Sequence, residues 1–317
     1  MRGTLRELVR YPSALAGLAI LAFLVAIAVY AVVAIPYPEA VRLWSGGEAV
    51  WPRNPRNARP EWLNWLWGGR LPRTLVVRSP ETPARERDLG SRVREVQFDL
   101  PFEYRYRRFP TELAVFVYAD YQEQAPQLEL SWRTPAGSEL RLADLTPRRQ
   151  DIYRLSADAE LRRNLGGAPE RMLFSTADRP AEAVPGQYTL TVRAFLFEPG
   201  SSVRAELVVY GEVHGLAGTD HLRRDLTVAL LWGAPIALAF GMLAAVGTTV
   251  LTLVIAAIGV WYGGWLDGLI QRITEVNLIL PPLPILIMVG VLYSRSIWVM
   301  LTLVILLGIF SSGIKVY

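Results

Sequence analysis

A membrane α-helical bundle carrying a large extracytoplasmic all-β, sandwich-like insert between its first and second spans is the fold class that this 317-residue sequence predicts. Three observations carry it. Apolar residues make up 52% of the chain and mean hydropathy is +0.25, yet 20% of residues are charged, a combination that calls for two solvents. The charges are segregated: residues 11–38 contain none and neither do residues 226–266, whereas the middle is rich in arginine. That middle also alternates apolar and polar residues with a period of two, as half-buried strands do.

Composition excludes several classes. The net charge of +4 comes from arginines spread over strand-like segments rather than gathered in a basic run, which argues against nucleic acid; Lys315 is the only lysine. Without cysteine there is neither a disulfide framework nor a thiolate metal site. With only His214 and His221 there is no imidazole cluster, and GxxxxGK[ST], HExxH and GxSxG are all absent. No metal site or cofactor is expected in this chain, and no catalytic residue is singled out: Asp and Glu are plentiful enough in the middle for an acid-base carboxylate pair, but their spacing marks none.

The elements follow in order. Residues 11–35 supply the roughly 20 apolar residues that a helix needs to cross a ~30 Å hydrocarbon core. The run exceeds the roughly 7 to 15 residues of a signal-peptide core, so an uncleaved span is expected. Arg2, Arg6 and Arg10 precede it with only Glu7 opposing, which places residues 1–10 in the cytoplasm. Residues 36–70, rich in Pro and Trp, read as an extended arm with one short helical turn; Trp62, Trp65 and Trp67 suit either the headgroup level or burial against the soluble part. Residues 71–214 form the β-domain. In QYTLTVRAFLF, Tyr188, Leu190, Val192, Ala194 and Leu196 alternate with Thr189, Thr191 and Arg193, and VRAELVVYG, LELSWRT, FDLPFEYRYRRF and ELAVFVYAD behave alike. ADAELRRNLGG alone reads as helix, ending at Gly166 and Gly167.

Residues 215–317 return to helices, with spans expected at about 232–261, 276–293 and 296–315. In GTDHLRRD, Thr219 or Asp220 is placed to cap a helix whose first turn sets His221, Arg223, Arg224 and Asp225 to water and Leu222, Leu226 and Leu230 to lipid. As physics alone such a helix could be only an anchor. Ala229, Gly233, Ala237, Gly241 and Ala245 recur every four residues, a face for close helix approach within the chain or against another subunit. A hairpin containing Asp267, Arg272 and Glu275 is expected in the cytoplasm, with Arg295 in an external loop and Lys315 inside. Pro281, Pro282 and Pro284 break the next span; freed backbone groups in a bilayer need protein or a water-filled path, so the break marks either a substrate pathway or a simple kink.

The order GTDxLxRD, WGAP at 232–235, YGGWxD with Arg272, and a proline-broken span resembles the C-type permease subunits of dipeptide and oligopeptide ABC importers. The likeness covers the N-terminal helix and roughly residues 215–317. It implies a non-enzymatic translocation subunit for peptides or a similar small solute, working beside a second permease, two cytoplasmic ATPases that bind ATP and Mg, and an extracytoplasmic substrate-binding protein. The outer gate would include Thr219, Asp220, Arg224 and Asp225. Nickel, sugars and opines use similar subunits. Arg223 stands where the family usually has glycine. Tyr317 precedes the cytoplasmic EAA loop that docks the ATPase, so the resemblance implies a truncated sequence. A membrane-anchored sensor or enzyme, active through its β-domain, is the competing expectation.

Overall fold

The computed structural model describes residues 11–83, 85–90 and 93–311. Arg2, Arg6, Arg10 and Lys315, on which the predicted orientation rests, lie outside them. Two compact units emerge: Met1–Pro36 with Leu231–Tyr317, and Tyr37–Leu230.

In the first unit α1 (Pro12–Ala34) starts with Pro12, whose missing N–H costs nothing there, and ends before Pro36, which cannot continue it. Its 23 residues span about 35 Å at the α-helical rise. A second helix, labelled α7 in chain order, is Leu226–Tyr262; it runs through Pro235 as one 37-residue element. Gly263 and Gly264, with φ of 57° and 59°, then turn the chain in a conformation that suits residues without Cβ. Next come α8 (Gly264–Ile279), α9 (Pro282–Leu292) and α10 (Ile297–Ser311). Leu280 is extended ahead of Pro281, and α8 and α9 meet at 78°.

Among the described residues, α1 and α7 alone are long and apolar enough to cross a membrane, or three elements if the bent α8–α9 pair is one span. The expected count of four is not confirmed: α10 has 15 described residues, and the segment 276–293 contains the break. The expected hairpin is corrected: Asp267, Arg272 and Glu275 lie within α8. Asp267 accepts from Gln271 at 2.9 Å one turn on, and Arg272 pairs with Glu275 at 3.0 Å, contacts that support a helix. Packing runs through small residues. A Cβ on Gly247 of α7 would lie 2.7 Å from Ile305, and one on Gly308 would lie 3.0 Å from Thr248. Asn277 Nδ2 donates to the Leu307 carbonyl at 2.9 Å, linking α8 to α10.

The second unit opens with α2 (Tyr37–Ser45) and α3 (Gly47–Val50), followed by turns at Pro52, Pro55 and Pro60 and by α4 (Leu63–Leu66). The arm is thus more helical than expected, because EAVRLW carries no proline and Glu39 pairs with Arg42 at 2.6 Å. Two antiparallel sheets follow. One has the order β1 (Leu75–Arg78), β9 (Ser202–Tyr210), β4 (Glu112–Asp120), β7 (Gln150–Arg154). The other has the order β2 (Arg85–Asp88), β3 (Arg94–Tyr104), β8 (Gly186–Leu196), β5 (Gln127–Arg133), β6 (Glu139–Leu145). Short helices α5 (Ala159–Leu165) and α6 (Pro169–Met172) lie between β7 and β8. Asp158 caps α5 by accepting from Glu160 and Leu161 amides, and Gly166 closes it with φ 73°.

The alternating residues of β3, β5 and β8 meet Leu113, Val115, Val117, Val203, Ala205, Leu207 and Val209 of the other sheet in one core. At one end Phe102, Trp132, Phe174 and Tyr188 pack ring to ring at 4.8 to 6.4 Å, and the Trp132 indole donates to the Leu173 carbonyl at 3.2 Å. The first sheet buries its other face too: Ala114, Phe116, Val208 and Tyr210 form a second cluster, where the Tyr210 hydroxyl donates to the Pro52 carbonyl at 2.6 Å and Arg53 lies over Phe116. The arm therefore belongs to the β-unit, whose compact limits are 37–230 rather than 71–214.

A soluble chain of residues 71–214 should accordingly unfold at lower temperature than one of residues 37–230. Stripping the cover from Phe116, Val208 and Tyr210 removes about 1.5–3 kcal/mol of burial for each large apolar side chain. Equal melting midpoints by circular dichroism would show that the arm contributes nothing.

Candidate functional site

The segment GTDHLRRD is a tight turn, not the expected helix. Thr219 and Asp225 face each other in an isolated bridge, and α7 begins only at Leu226. Gly218 has φ 76°, and a Cβ there would lie 2.2 Å from the Ala58 carbonyl, so glycine is required. Thr219 Oγ1 accepts from the Ala58 amide at 3.0 Å and donates to the Pro55 carbonyl at 2.6 Å. Asp220 Oδ1 accepts from the amides of Leu222 and Arg224, each at 2.9 Å, an Asx-type turn that competes with helix. Asp225 is the true cap: its Oδ1 accepts from the Thr227 amide at 2.8 Å, and Leu226 N–H returns to the Gly218 carbonyl at 3.0 Å. Of the predicted gate residues, Thr219, Asp220, Arg224 and Asp225 do share this turn, but as its staples.

Arg223 is its anchor. Its φ is 64° and its side chain has no solvent exposure. One guanidinium nitrogen donates to the Asn54 carbonyl at 2.6 Å, another pairs with Glu112, and Nε stands 3.7 Å from Glu48 without a hydrogen-bond acceptor. The group also lies 4.5 Å above the Tyr210 ring. Asn54 answers by donating to the Arg223 carbonyl at 3.1 Å. Glu48 carries on to Arg56 and, at 3.0 Å, to Arg154. Arg224 pairs with Asp220 at 2.6 Å and lies 3.8 Å over Trp44. Glu48, Asn54, Glu112 and Tyr210 were not found by sequence reasoning; they lie up to 175 positions away in a chain whose arginines give no local signal, and only the departure from glycine at 223 marked the spot.

The electrostatics are set by these arginines. Burial would raise the Glu48 carboxyl, but Arg56, Arg154 and Arg223 together hold it below its ordinary 4.5. Burial likewise opposes, and the hydrogen bonds and charge of Arg224 and the amide of Leu222 outweigh it, at Asp220, held below 3.8. Tyr210 is pushed up to about 12, by burial first, with Arg223 and Arg154 acting against it.

The remaining predicted residues do not join this site. Gly233, Ala237, Gly241 and Ala245 are exposed, and a Cβ on Gly233 or Gly241 would meet nothing within 4 Å, so among the described residues nothing packs closely on this stripe. Pro282 lines a cavity of about 230 Å³ with Asn277, Leu286, Val304 and Gly308; Pro281 and Pro284 do not. Among the described residues no group of three or more His, Asp or Glu side chains is placed to hold a metal ion.

No family model matches the chain. The peptidoglycan transport system permease protein YejE of Agrobacterium fabrum is 30% identical over 89 residues, which cover 28% of this chain and 23% of that protein. The dipeptide transport system permease protein DppC of Alkalihalophilus pseudofirmus is 30% identical over 80 residues, covering 25% and 26%. The chain thus spans about a quarter of the length of the curated relatives it matches. These partial matches support a link to the permease subunits of ABC transport systems, and with the apolar helices they mark a membrane protein. Among solved structures, one described as a carbohydrate-binding module of the β-sandwich superfamily has a TM-score of 0.24 at 10% identity over 44% of this chain and 52% of that one, a likeness too low to inform fold or ligand.

Arg223→Gly should relieve the backbone yet destabilise the unit by about 3 kcal/mol, since Glu112 and Glu48 lose a buried partner. Arg223→Lys should recover only part of this, because one ammonium cannot serve Asn54 and Glu112 together. Denaturant unfolding of residues 37–230 checks both, and a neutral Arg223→Gly would remove the anchoring role. Acid should act in the same place. Carboxyls lowered on folding add stability that is complete above their unfolded values of 4.5 and 3.8 and is lost as pH falls through the lower folded ones. The melting midpoint should be flat from about pH 7 to 5 and fall below about pH 4, less steeply in Glu48→Gln.

Proposed function

We propose that this chain is the C-type permease subunit of an ABC importer for peptides or a similar small solute. The two partial matches to transport-system permeases carry the reading, and the ordered GTDHLRRD, WGAP and YGGWLD motifs support it. The chain would pair with a second permease through its membrane helices and line the translocation path. Two cytoplasmic ATPase subunits would bind ATP and Mg and drive alternating access, with no catalysis or cofactor in this chain. An extracytoplasmic binding protein would deliver the solute, meeting the Tyr37–Leu230 unit.

In this reading the Thr219–Asp225 bridge braces the outer mouth, since Asp225 both closes the turn and caps α7. The test is reconstitution of the protein with its partner permease, ATPases and binding protein in liposomes. Uptake of labelled di- or oligopeptide that requires both ATP and the binding protein is expected. ATPase activity indifferent to the binding protein, with no solute taken up, would sink the reading.

Topology gives an independent check in this cysteine-free sequence. With Ser138→Cys in an exposed turn and Gly268→Cys on α8, an impermeant thiol reagent added to intact cells should label position 138 and spare 268. The reverse pattern would invert the proposed orientation.

A further inference from the structure

The β-unit carries a basic cleft lined in part by Trp67, at the end of a short stretch of exposed indoles. Its volume is about 1020 Å³, and Trp67, Gly68, Gly69, Arg70 and the run Arg105–Arg108 line it, with Glu182 as its one acid. Arg105 is paired with Glu103 at 2.6 Å and Arg108 with Glu212 at 2.7 Å, but neither Arg70 nor Arg107 has an ion-pair partner among the described residues. Two free guanidiniums facing one concavity suit an anion with several oxygens, which Arg binds in forked geometry.

The neighbouring indoles say which anion. Trp65 is 85% exposed and Leu216 74%, with Trp62, Leu66 and Trp67 also open to solvent. Two of these side chains are held in place: the Trp62 indole donates to the Leu216 carbonyl at 3.0 Å, and Arg59 lies 4.6 Å over the Trp67 ring. A site for a small soluble anion has no use for a neighbouring cluster of exposed indoles and leucines. At a bilayer surface the same arrangement is matched, because indoles favour the headgroup layer and guanidiniums favour its phosphates. The unit is joined by chain to apolar helices at both ends, so such a surface is always at high effective concentration.

We propose that this cleft and the neighbouring indoles form a docking site for the phosphate headgroup of an anionic phospholipid. The site does not depend on the transport reading. Anionic headgroups supply the phosphate to Arg70 and Arg107, while Trp62, Trp65 and Trp67 enter the interfacial layer beside it. Each guanidinium near such a surface changes partition by roughly fivefold.

The test uses the full chain in lipid nanodiscs with a nitroxide on Leu216→Cys, which leaves every indole in place. Collision of the label with an aqueous nickel chelate is measured at constant ionic strength in discs of phosphatidylcholine alone and with phosphatidylglycerol. The expected result is severalfold lower access to nickel in the anionic discs. Arg70→Gln with Arg107→Gln should return it to the neutral-disc level, whereas Arg162→Gln with Arg171→Gln, exposed and equal in charge, should leave it unchanged. Equal access in both discs overturns the proposal, as does an equal loss in the control pair, which would mean that net charge alone acts. Release of the label by excess inorganic phosphate would assign the cleft to free phosphate and overturn the lipid site.

Discussion

A guanidinium without solvent, that of Arg223, is the interaction on which the β-unit's outer architecture depends. A buried charge is costly unless paired and hydrogen-bonded. Here it has Glu112 on β4, the Asn54 carbonyl in the arm and the Tyr210 ring on β9. Three segments remote in sequence must converge for that to hold. The arm, the sheet and the turn ahead of α7 are therefore one structure. Glu206 repeats the device further along the same face: it is 4% exposed and reached by Arg53 and, at 3.4 Å, by Arg78.

The covered face explains the sequence of the central strands. A sheet open to water on one side reads as strict alternation, and β3 and β8 do so through much of their length. β4 and β9, sandwiched between the other sheet and the arm, read instead as ELAVFVYAD and AELVVY, with buried residues in succession. Glu206 can sit within such a run only because arginines come from the arm and from β1 to meet it. The arm's Pro and Trp content suits the same role, since turns at Pro52 and Pro55 bring Arg53 and Asn54 onto the sheet without a long regular element.

What the sequence made legible follows from where the information is local. The alternation at Tyr188, Leu190, Val192, Ala194 and Leu196 is a property of one strand, and all five are buried as read. The same holds for Gly166 closing α5. The edge strands β2, β6 and β7 were hidden because RERD, ELRLADL and QDIYR are charged, as edges that must resist pairing with other chains tend to be. The small-residue stripe from Ala229 to Ala245 had the right period, yet Gly247, Gly308 and Thr248 make the close contact between α7 and α10. Period marks a face; only the partner's side chains decide whether it is used within the chain.

The doorstep of α7 shows the limit most clearly. Both Asp220 and Asp225 are good cap residues, and spacing alone favours the first because it precedes a pattern of leucines at 222, 226 and 230. Tertiary structure selects the second. Asp220 is occupied by two amides of its own turn and by Arg224, and the positive φ at 223 prevents a helix from running through. The turn needs a left-handed residue at 223, a requirement that glycine and arginine meet by different means. Glycine adopts that conformation without steric cost, whereas arginine adopts it at about 1–2 kcal/mol. What offsets the difference is the side chain, whose pairing with Glu112 and Tyr210 a glycine could not make, so Arg223 ties the turn to the sheet.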